Sequence, residues 1–365
     1  MLESVYYVSV VLLEVPTGYL SDITSRKMTL LMGAISLVLA CVLYLSGTTF
    51  VMLAIGQVIF ALHMSLISGT NTVFHYESLA ALKMNEQYGD REAVVHKYGS
   101  IAGGTAALLG GWLSSYQLTY AYYISLLAGI AAVIIASQFV EPETVQDDQK
   151  SSMSVLDQFK KTLGFLKEAP LGWLACYFVL VYAITHVPYE FYQPYIQLLD
   201  QSDLIYGLSV SVLSGLIYAS ARYVSAIGAS YSMVWSRRLG LFNFLMIALV
   251  AITAVVFIMA SGLNIIALGF VLLRSTPWMA IKAPINNIIT PRIGSGQRAT
   301  FHSMLSLICR LSFFIVLLLL SLLIDAYEEV SWQNLQLILM ACVAGAVCLL
   351  IPIYIKGRGL FSTNS

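Results

Sequence analysis

Charge is scarce in this sequence. Of 365 residues only 10 % are Asp, Glu, Lys or Arg, while 59 % are hydrophobic. A soluble domain carries about 25 % charged residues, so this chain cannot coat a globular surface with water-compatible groups. Its composition assigns it to lipid. Cysteine is sparse too. Cys41, Cys176, Cys309, Cys342 and Cys348 stand singly in apolar runs. Without a CxxC pair they point to no zinc site and no disulfide framework, and they read as small packing residues. The histidines are also single, and no HExxH occurs. His75 and Glu77, two apart, fall on different faces of a helix. A membrane enzyme would need a clustered catalytic set, and none is present. No catalytic residue, cofactor, metal or nucleic-acid partner is expected.

What is abundant is long apolar runs. A bilayer core of about 30 Å needs about 20 such residues per helix. Eleven stretches qualify, near residues 4–21, 28–46, 50–70, 95–115, 119–139, 170–196, 204–230, 239–261, 263–285, 300–324 and 331–355. They are too long for barrel strands and do not alternate, so an all-α, multi-pass protein follows. The opening stretch "MLESVYYVSVVLLEVPTGYL" lacks a basic leader and a small-residue cleavage site, and reads as the first of these spans.

The loops sort by charge. Sixteen of the nineteen lysines and arginines lie in alternate loops, among them Arg26, Lys27, Lys83, Lys150, Arg237, Arg292 and Lys356. The opposite loops hold Asp200, Asp203, Asp325, Glu328 and Glu329 and no base. Basic loops stay cytoplasmic, which puts the carboxyl terminus inside and the protein in the cytoplasmic membrane. An odd span count then leaves Met1 outside with no basic flank to explain it. A helix preceding residue 1 is the favoured expectation.

Between residues 141 and 169 the text turns polar, then amphipathic, with Val155, Leu156, Phe159, Leu163 and Leu166 at helical spacing. This reads either as a helix along the membrane face or as a solvated connection. It divides the chain into an amino-terminal bundle of five spans (1–140), a cytoplasmic linker (141–169) and a carboxyl-terminal bundle of six (170–365).

The stretch "GYLSDITSRKM" places Gly18, Asp22, Arg26 and Lys27 between the first two spans. This pattern resembles the hinge between the second and third helices of the major facilitator superfamily, Gly-x-x-x-Asp-(Arg/Lys)-x-Gly-(Arg/Lys)-(Arg/Lys). Ile23 and Ser25 depart from its basic and glycine positions. Three further stretches are similar to other parts of that family: "SGTNTVFHYESLAAL", "YEFYQPYIQ" and "RATFHSMLSL". The resemblance covers essentially the whole chain. It implies a two-bundle secondary transporter, expected as a monomer, that moves a small solute by alternating access with proton coupling. It also implies a cytoplasmic gate in which Asp22 pairs with Arg26, faces the helix beginning near Thr300, and joins an acid of the fourth family helix, here Glu77. The plainer alternative is that Arg26 and Lys27 only set topology and Asp22 only caps a turn. Drug antiporters of the superfamily carry a Gly-Pro pair in the helix that here holds Gly103 and Gly104. No proline stands there, so drug efflux has no specific support. A channel or a non-transporting receptor-like remnant is a further alternative.

Three arginines remain inside spans: Arg222, Arg274 and Arg310. Each costs about 2.5–3.5 kcal/mol at mid-bilayer on an insertion scale, so each needs a partner or a wet cavity. The membrane acids are Glu14 and Glu190. This set favours an anionic or zwitterionic substrate, with Glu14 or Glu190 carrying the coupling proton. Helix-to-helix pairing of the arginines is the competing explanation. Around Pro188 and Pro194, Tyr192 and its neighbours would stack a ligand, form an outer gate, or sit in an interfacial tyrosine belt.

Overall fold

The computed structural model describes residues 2–142, 154–200, 210–322 and 331–361. Asp203, Asp325, Glu328 and Glu329, expected on the acid-bearing side, lie outside those residues, as does Lys150. All regular structure among the described residues is helical: α1 Leu2–Ile23, α2 Arg26–Ser46, α3 Phe50–Ser68, α4 Thr70–Ala81, α5 Tyr88–Ser114, α6 Leu118–Ser137, α7 Val155–Gly164, α8 Leu171–Asp200, α9 Val210–Leu239, α10 Leu241–Ser261, α11 Ile265–Val271, α12 Thr276–Arg292, α13 Arg298–Ser321 and α14 Trp332–Phe361.

Nine stretches, counted among the described residues, are long and apolar enough to cross a membrane. The other two expected spans, α1 and α5, form helices of 22 and 27 residues but fall outside that set. Glu3, Glu14 and Asp22 thin the apolar run of α1. Asp90, Arg91, Glu92 and Lys97 do the same for α5.

Local chemistry sets the helix starts. Ser25, Thr49, Ser154 and Asn264 each accept a backbone N–H three residues on, at the amino ends of α2, α3, α7 and α11. Such a cap satisfies one of the donors a helix start leaves unpaired. Gly240, at φ 76°, turns the chain from α9 into α10 through a conformation that favours glycine.

The chain forms two compact units. One comprises residues 1–88, 116–168 and 286–310; the other comprises 89–115, 169–285 and 311–365. In the first, α2 packs on α3 and α6, and α1 on α3. Close approach is made through small residues: a Cβ on Gly129 would meet Val38 at 3.1 Å, and one on Gly56 would meet Tyr44 at 2.8 Å. His63 reaches across to the carbonyl of Gly33 at 2.7 Å. In the second, α10 packs on α8, α9, α11 and α14. Trp173 stacks on Tyr177 and donates to the carbonyl of Ile353 at 3.0 Å, while Tyr177 donates to that of Leu245 at 2.6 Å.

The linker forms helix α7 over Val155–Gly164. Its buried residues are Gln158 and Thr162, whereas Leu156 is exposed. The polar side turns inward because it has polar partners there. Gln158 donates to Asp22, to the carbonyl of Gly296 and to Thr300.

Candidate functional site

The last turn of α1, the first of α2, the middle of α4 and the first turn of α13 meet within the first unit, at the end where the basic loops lie. Asp22 sits at the focus, its side chain fully buried. Its carboxylate accepts the backbone N–H groups of Ala299 (3.0 Å) and Thr300 (2.8 Å) and the Thr300 hydroxyl (2.6 Å). Gln158 donates to it at 3.2 Å. The start of α13 thus receives its cap from a residue 278 positions away. A carboxylate there satisfies orphan N–H groups and meets the positive end of the helix dipole.

Arg26 links Asp22 to Glu77. Its guanidinium lies 3.0 Å from Asp22 Oδ1 and donates through Nε to Glu77 Oε2 at 3.2 Å. It also donates to the carbonyls of Ser21 and Ser295. Glu77 in turn takes Arg298 at 3.2 Å, and that guanidinium lies over the Tyr76 ring. Two acids and two bases therefore form one closed, mostly buried network. Formal neutrality lets such a group exist away from water, but it is weak evidence for stability. Removing one member is costly, because its partner is left charged and buried.

Two glycines make room for this junction. A Cβ on Gly18 would stand 2.6 Å from Ser303 Oγ and 2.7 Å from Ser303 Cβ; one on Gly69 would stand 2.5 Å from the carbonyl oxygen of Ala299. The amino-terminal turn of α13 is therefore pressed against α1 and against the start of α4.

Glu141, where the sequence first turns polar after the fifth apolar run, does for α2 what Asp22 does for α13. It accepts from the backbone N–H groups of Arg26 and Lys27, each at 2.7 Å, and from the Ser25 hydroxyl at 2.5 Å. Neither this cap nor the part played by Gln158 was foreseen. The sequence signal for Glu141 is an acid just past an apolar run. For Gln158 it is a polar stripe on an amphipathic helix.

Farther along α1, Glu14 is wholly buried. The polar groups acting on it are the Arg310 guanidinium and the hydroxyls of Ser68, Ser306 and Ser65, yet among the described residues neither carboxylate oxygen completes a hydrogen bond. Glu14 and Arg310, placed on separate spans by the sequence, are thus neighbours.

In the second unit Arg222 on α9 donates to the carbonyl of Gly99 at 3.1 Å and lies against Gly103. A Cβ at Gly103 would come within 2.9 Å of the guanidinium. Glycines of α5 thereby give a mid-helix arginine both a carbonyl and the space to reach it.

Arg274 has a different setting. The expected span 263–285 is broken, with α11 ending at Val271 and α12 beginning at Thr276. The intervening N–H groups of Leu272, Leu273 and Arg274 bond three residues back, as in a 3₁₀ turn. Arg274 projects from this break into a cage of Tyr189, Tyr192 and Tyr218, with ring centroids 5.8, 4.3 and 5.6 Å from its central carbon. It is 1 % exposed, and none of its three nitrogens completes a hydrogen bond among the described residues. Tyr192 forms the buried floor of the cage. Glu190, next to Tyr189, is half-buried.

A fold of apolar helices with a charged hinge at one end is the frame into which the comparisons fit. The sequence model of the Major Facilitator Superfamily matches residues 1–317. The chain belongs to this superfamily. No curated protein sequence matches it. Among solved structures, it is similar to FucP, a superfamily transporter in the outward conformation and the E. coli fucose:proton symporter. The TM-score is 0.68 at 16 % identity, over 98 % of this chain and 89 % of that one. It is likewise similar to the human organic anion transporter MFSD10 (0.72, 16 %, 97 % and 82 %) and to a bacterial homologue of the iron transporter ferroportin (0.65, 16 %, 97 % and 89 %). At these identities the likeness is one of fold. This Major Facilitator Superfamily protein is a multi-pass membrane protein of transporter type.

Proposed function

We propose that the chain is a secondary active transporter that moves a small anionic or zwitterionic solute across the cytoplasmic membrane by alternating access, coupled to protons. The observation that carries this reading is Glu14. A carboxylate in an apolar helix, wholly buried and with no completed hydrogen bond among the described residues, incurs a desolvation penalty. Membrane carboxylates of this kind serve ion and proton pathways. Here Arg310 and three serine hydroxyls stand by to hold the charged form, and a change in their distance would let the proton leave or return.

In this reading the two bundles flanking the linker, 1–140 and 170–365, rock against each other. The network of Asp22, Arg26, Glu77 and the start of α13 is the cytoplasmic latch, with Gly18 giving the close approach and Lys27 fixing topology. It couples residues of the first half to residues 295–300. Glu190, Tyr192, Arg222, Arg274 and Arg310 are the remaining candidates for contact with solute or ion.

Reconstitution tests the proposal. Proteoliposomes are offered a panel of small anions, amino acids, sugars and cationic drugs, with and without an imposed proton gradient. Saturable, gradient-driven accumulation of an anion or zwitterion that Glu14→Gln abolishes is the expected result. Failure of every solute to enter faster than into protein-free vesicles would sink the reading.

A further inference from the structure

We infer that Arg274, Tyr189, Tyr192 and Tyr218 form a binding subsite for a monocarboxylate with an apolar or aromatic body. This deepens the proposed function and rests on it for the role of the site in transport.

Four observations within the second unit converge. First, Arg274 is the largest fully buried side chain among the described residues, and the polar groups acting on it are the neutral tyrosines, Tyr192 foremost, none of which completes a hydrogen bond to its nitrogens. A guanidinium carries a planar fork of donors and cannot shed its charge, so it calls for an anion, and none among the described residues hydrogen-bonds to it. Arg222 and Arg310 are unlike it, since one reaches a backbone carbonyl and the other lies near Glu14. Second, Arg274 stands where a membrane helix is interrupted. Discontinuous helices place binding groups at the middle of the bilayer in transporters. The N–H groups of Arg274 and Thr276 stay bonded to the carbonyls of Val271 and Leu273 through this turn, so the guanidinium is the group that the interruption presents. Third, the next polar side chain along the span, Thr276, packs against Gly228 of α9, and its hydroxyl takes no hydrogen bond among the described residues, so it does not serve Arg274 either. Fourth, three tyrosines from α8 and α9 surround the cation with ring faces and carry their own hydroxyl donors.

The chemistry of the occupant follows. Two oxygens of a carboxylate match the two-toothed edge of a guanidinium. One arginine balances one negative charge; a dianion would bring an uncompensated charge into a low-dielectric interior. Rings at this spacing make an apolar wall, suited to an aliphatic or aromatic remainder. Tyr189, 42 % exposed, is the outer wall through which the ligand enters, and Tyr192 is the floor.

The test uses the purified full chain in detergent, where no gradient exists. Thermal unfolding is followed with acetate, lactate, benzoate and indole-3-acetate, each against its neutral amide. A ligand present at about a hundred times its Kd raises the unfolding temperature by several degrees. The expected result is stabilisation by benzoate or indole-3-acetate and not by the amides, lost in Arg274→Gln and weakened in Tyr218→Phe. Unliganded Arg274→Gln should unfold at the wild-type temperature or above it, since a buried unpaired charge has been removed. If that variant unfolds well below wild type, Arg274 is a structural residue and the subsite is refuted. Stabilisation by acid and amide alike, or by neither, also refutes it. Transport without Arg274-dependent binding would remove the subsite and leave the carrier; Arg274-dependent binding without flux would do the reverse.

Discussion

Asp22 and Thr300 are 278 residues apart and share two hydrogen bonds, one from the Thr300 backbone N–H at 2.8 Å and one from its hydroxyl at 2.6 Å. One carboxylate therefore ties the end of the first helix to the beginning of the thirteenth. Replacement by asparagine preserves shape but leaves one acceptor oxygen where there were two and removes the charge, so the bonds from Ala299 and from Thr300 cannot both be kept and Arg26 loses its anion. Hydrogen bonds to charged groups contribute about 1.5–3 kcal/mol, which corresponds to roughly a ten- to hundredfold shift in an equilibrium. In Asp22→Asn the latch should open more often. A cysteine replacing Ser65 should then react faster with an impermeant maleimide added at the basic-loop face. Unchanged labelling would deny Asp22 a gating role.

Glu77 serves two arginines, at 3.2 Å each. Glu77→Gln leaves Arg26 and Arg298 facing each other without their shared anion. Breaking a buried pair from one side costs about 3–5 kcal/mol, so the variant should unfold several degrees lower in detergent. Glu77→Ala combined with Arg298→Ala should lose less than the two single changes added together. Strict additivity would mean that the two side chains are not energetically coupled.

Gly18 and Gly69 make a paired prediction because their obstacles differ. At Gly18 an added methyl meets mainly the side chain of Ser303; at Gly69 it meets the backbone oxygen of Ala299. Overpacking of this kind costs about 1–3 kcal/mol. Adding Ser303→Gly should restore the stability and flux of Gly18→Ala but not those of Gly69→Ala. Equal rescue of both would show that α13 shifts as a body.

The general architecture was legible because membrane helices announce themselves by length and apolarity, and the basic residues gather in alternate loops. The hinge was legible for a local reason. Gly18 and Asp22 are spaced by four, so one face of α1 carries the close-packing position and the acid, and the base, Arg26, opens the next helix four residues on. What escaped notice needed partners from elsewhere in the chain. Nothing near Glu141 says that the start of α2 will come to it from 115 residues away. Gln158 looked like the wet face of an amphipathic helix, and hydrophobic periodicity alone gives no hint that the wet face is the buried one. The interruption at Arg274 did leave a mark. Pro277, following Ser275 and Thr276, is a helix-start signal, but it was submerged in a long apolar run. Tyr218 carried no signal, since a single tyrosine in a span is ordinary until an arginine is found beneath it.

For Glu14 the expected behaviour separates coupling from exchange. Glu14→Gln removes the titrating proton while keeping the size of the side chain. Gradient-driven accumulation should disappear, while solute-for-solute exchange at equal pH on both sides should persist within a fewfold of wild type. Loss of both together would make Glu14 a structural or solute-binding group.

Alternating access is tested most directly by locking the junction of α1 and α13 and asking which face reaches the centre. In a chain whose five cysteines are replaced, Asp22→Cys and Thr300→Cys, at positions whose native side chains meet at 2.6 Å, are joined by oxidant, with Ser65→Cys beside Glu14 as the reporter. The reduced protein should be labelled at position 65 from both faces of the membrane. The oxidised protein should be labelled only from the face opposite the basic loops, with full recovery on reduction. Labelling from a single face whatever the state of the lock would contradict the account.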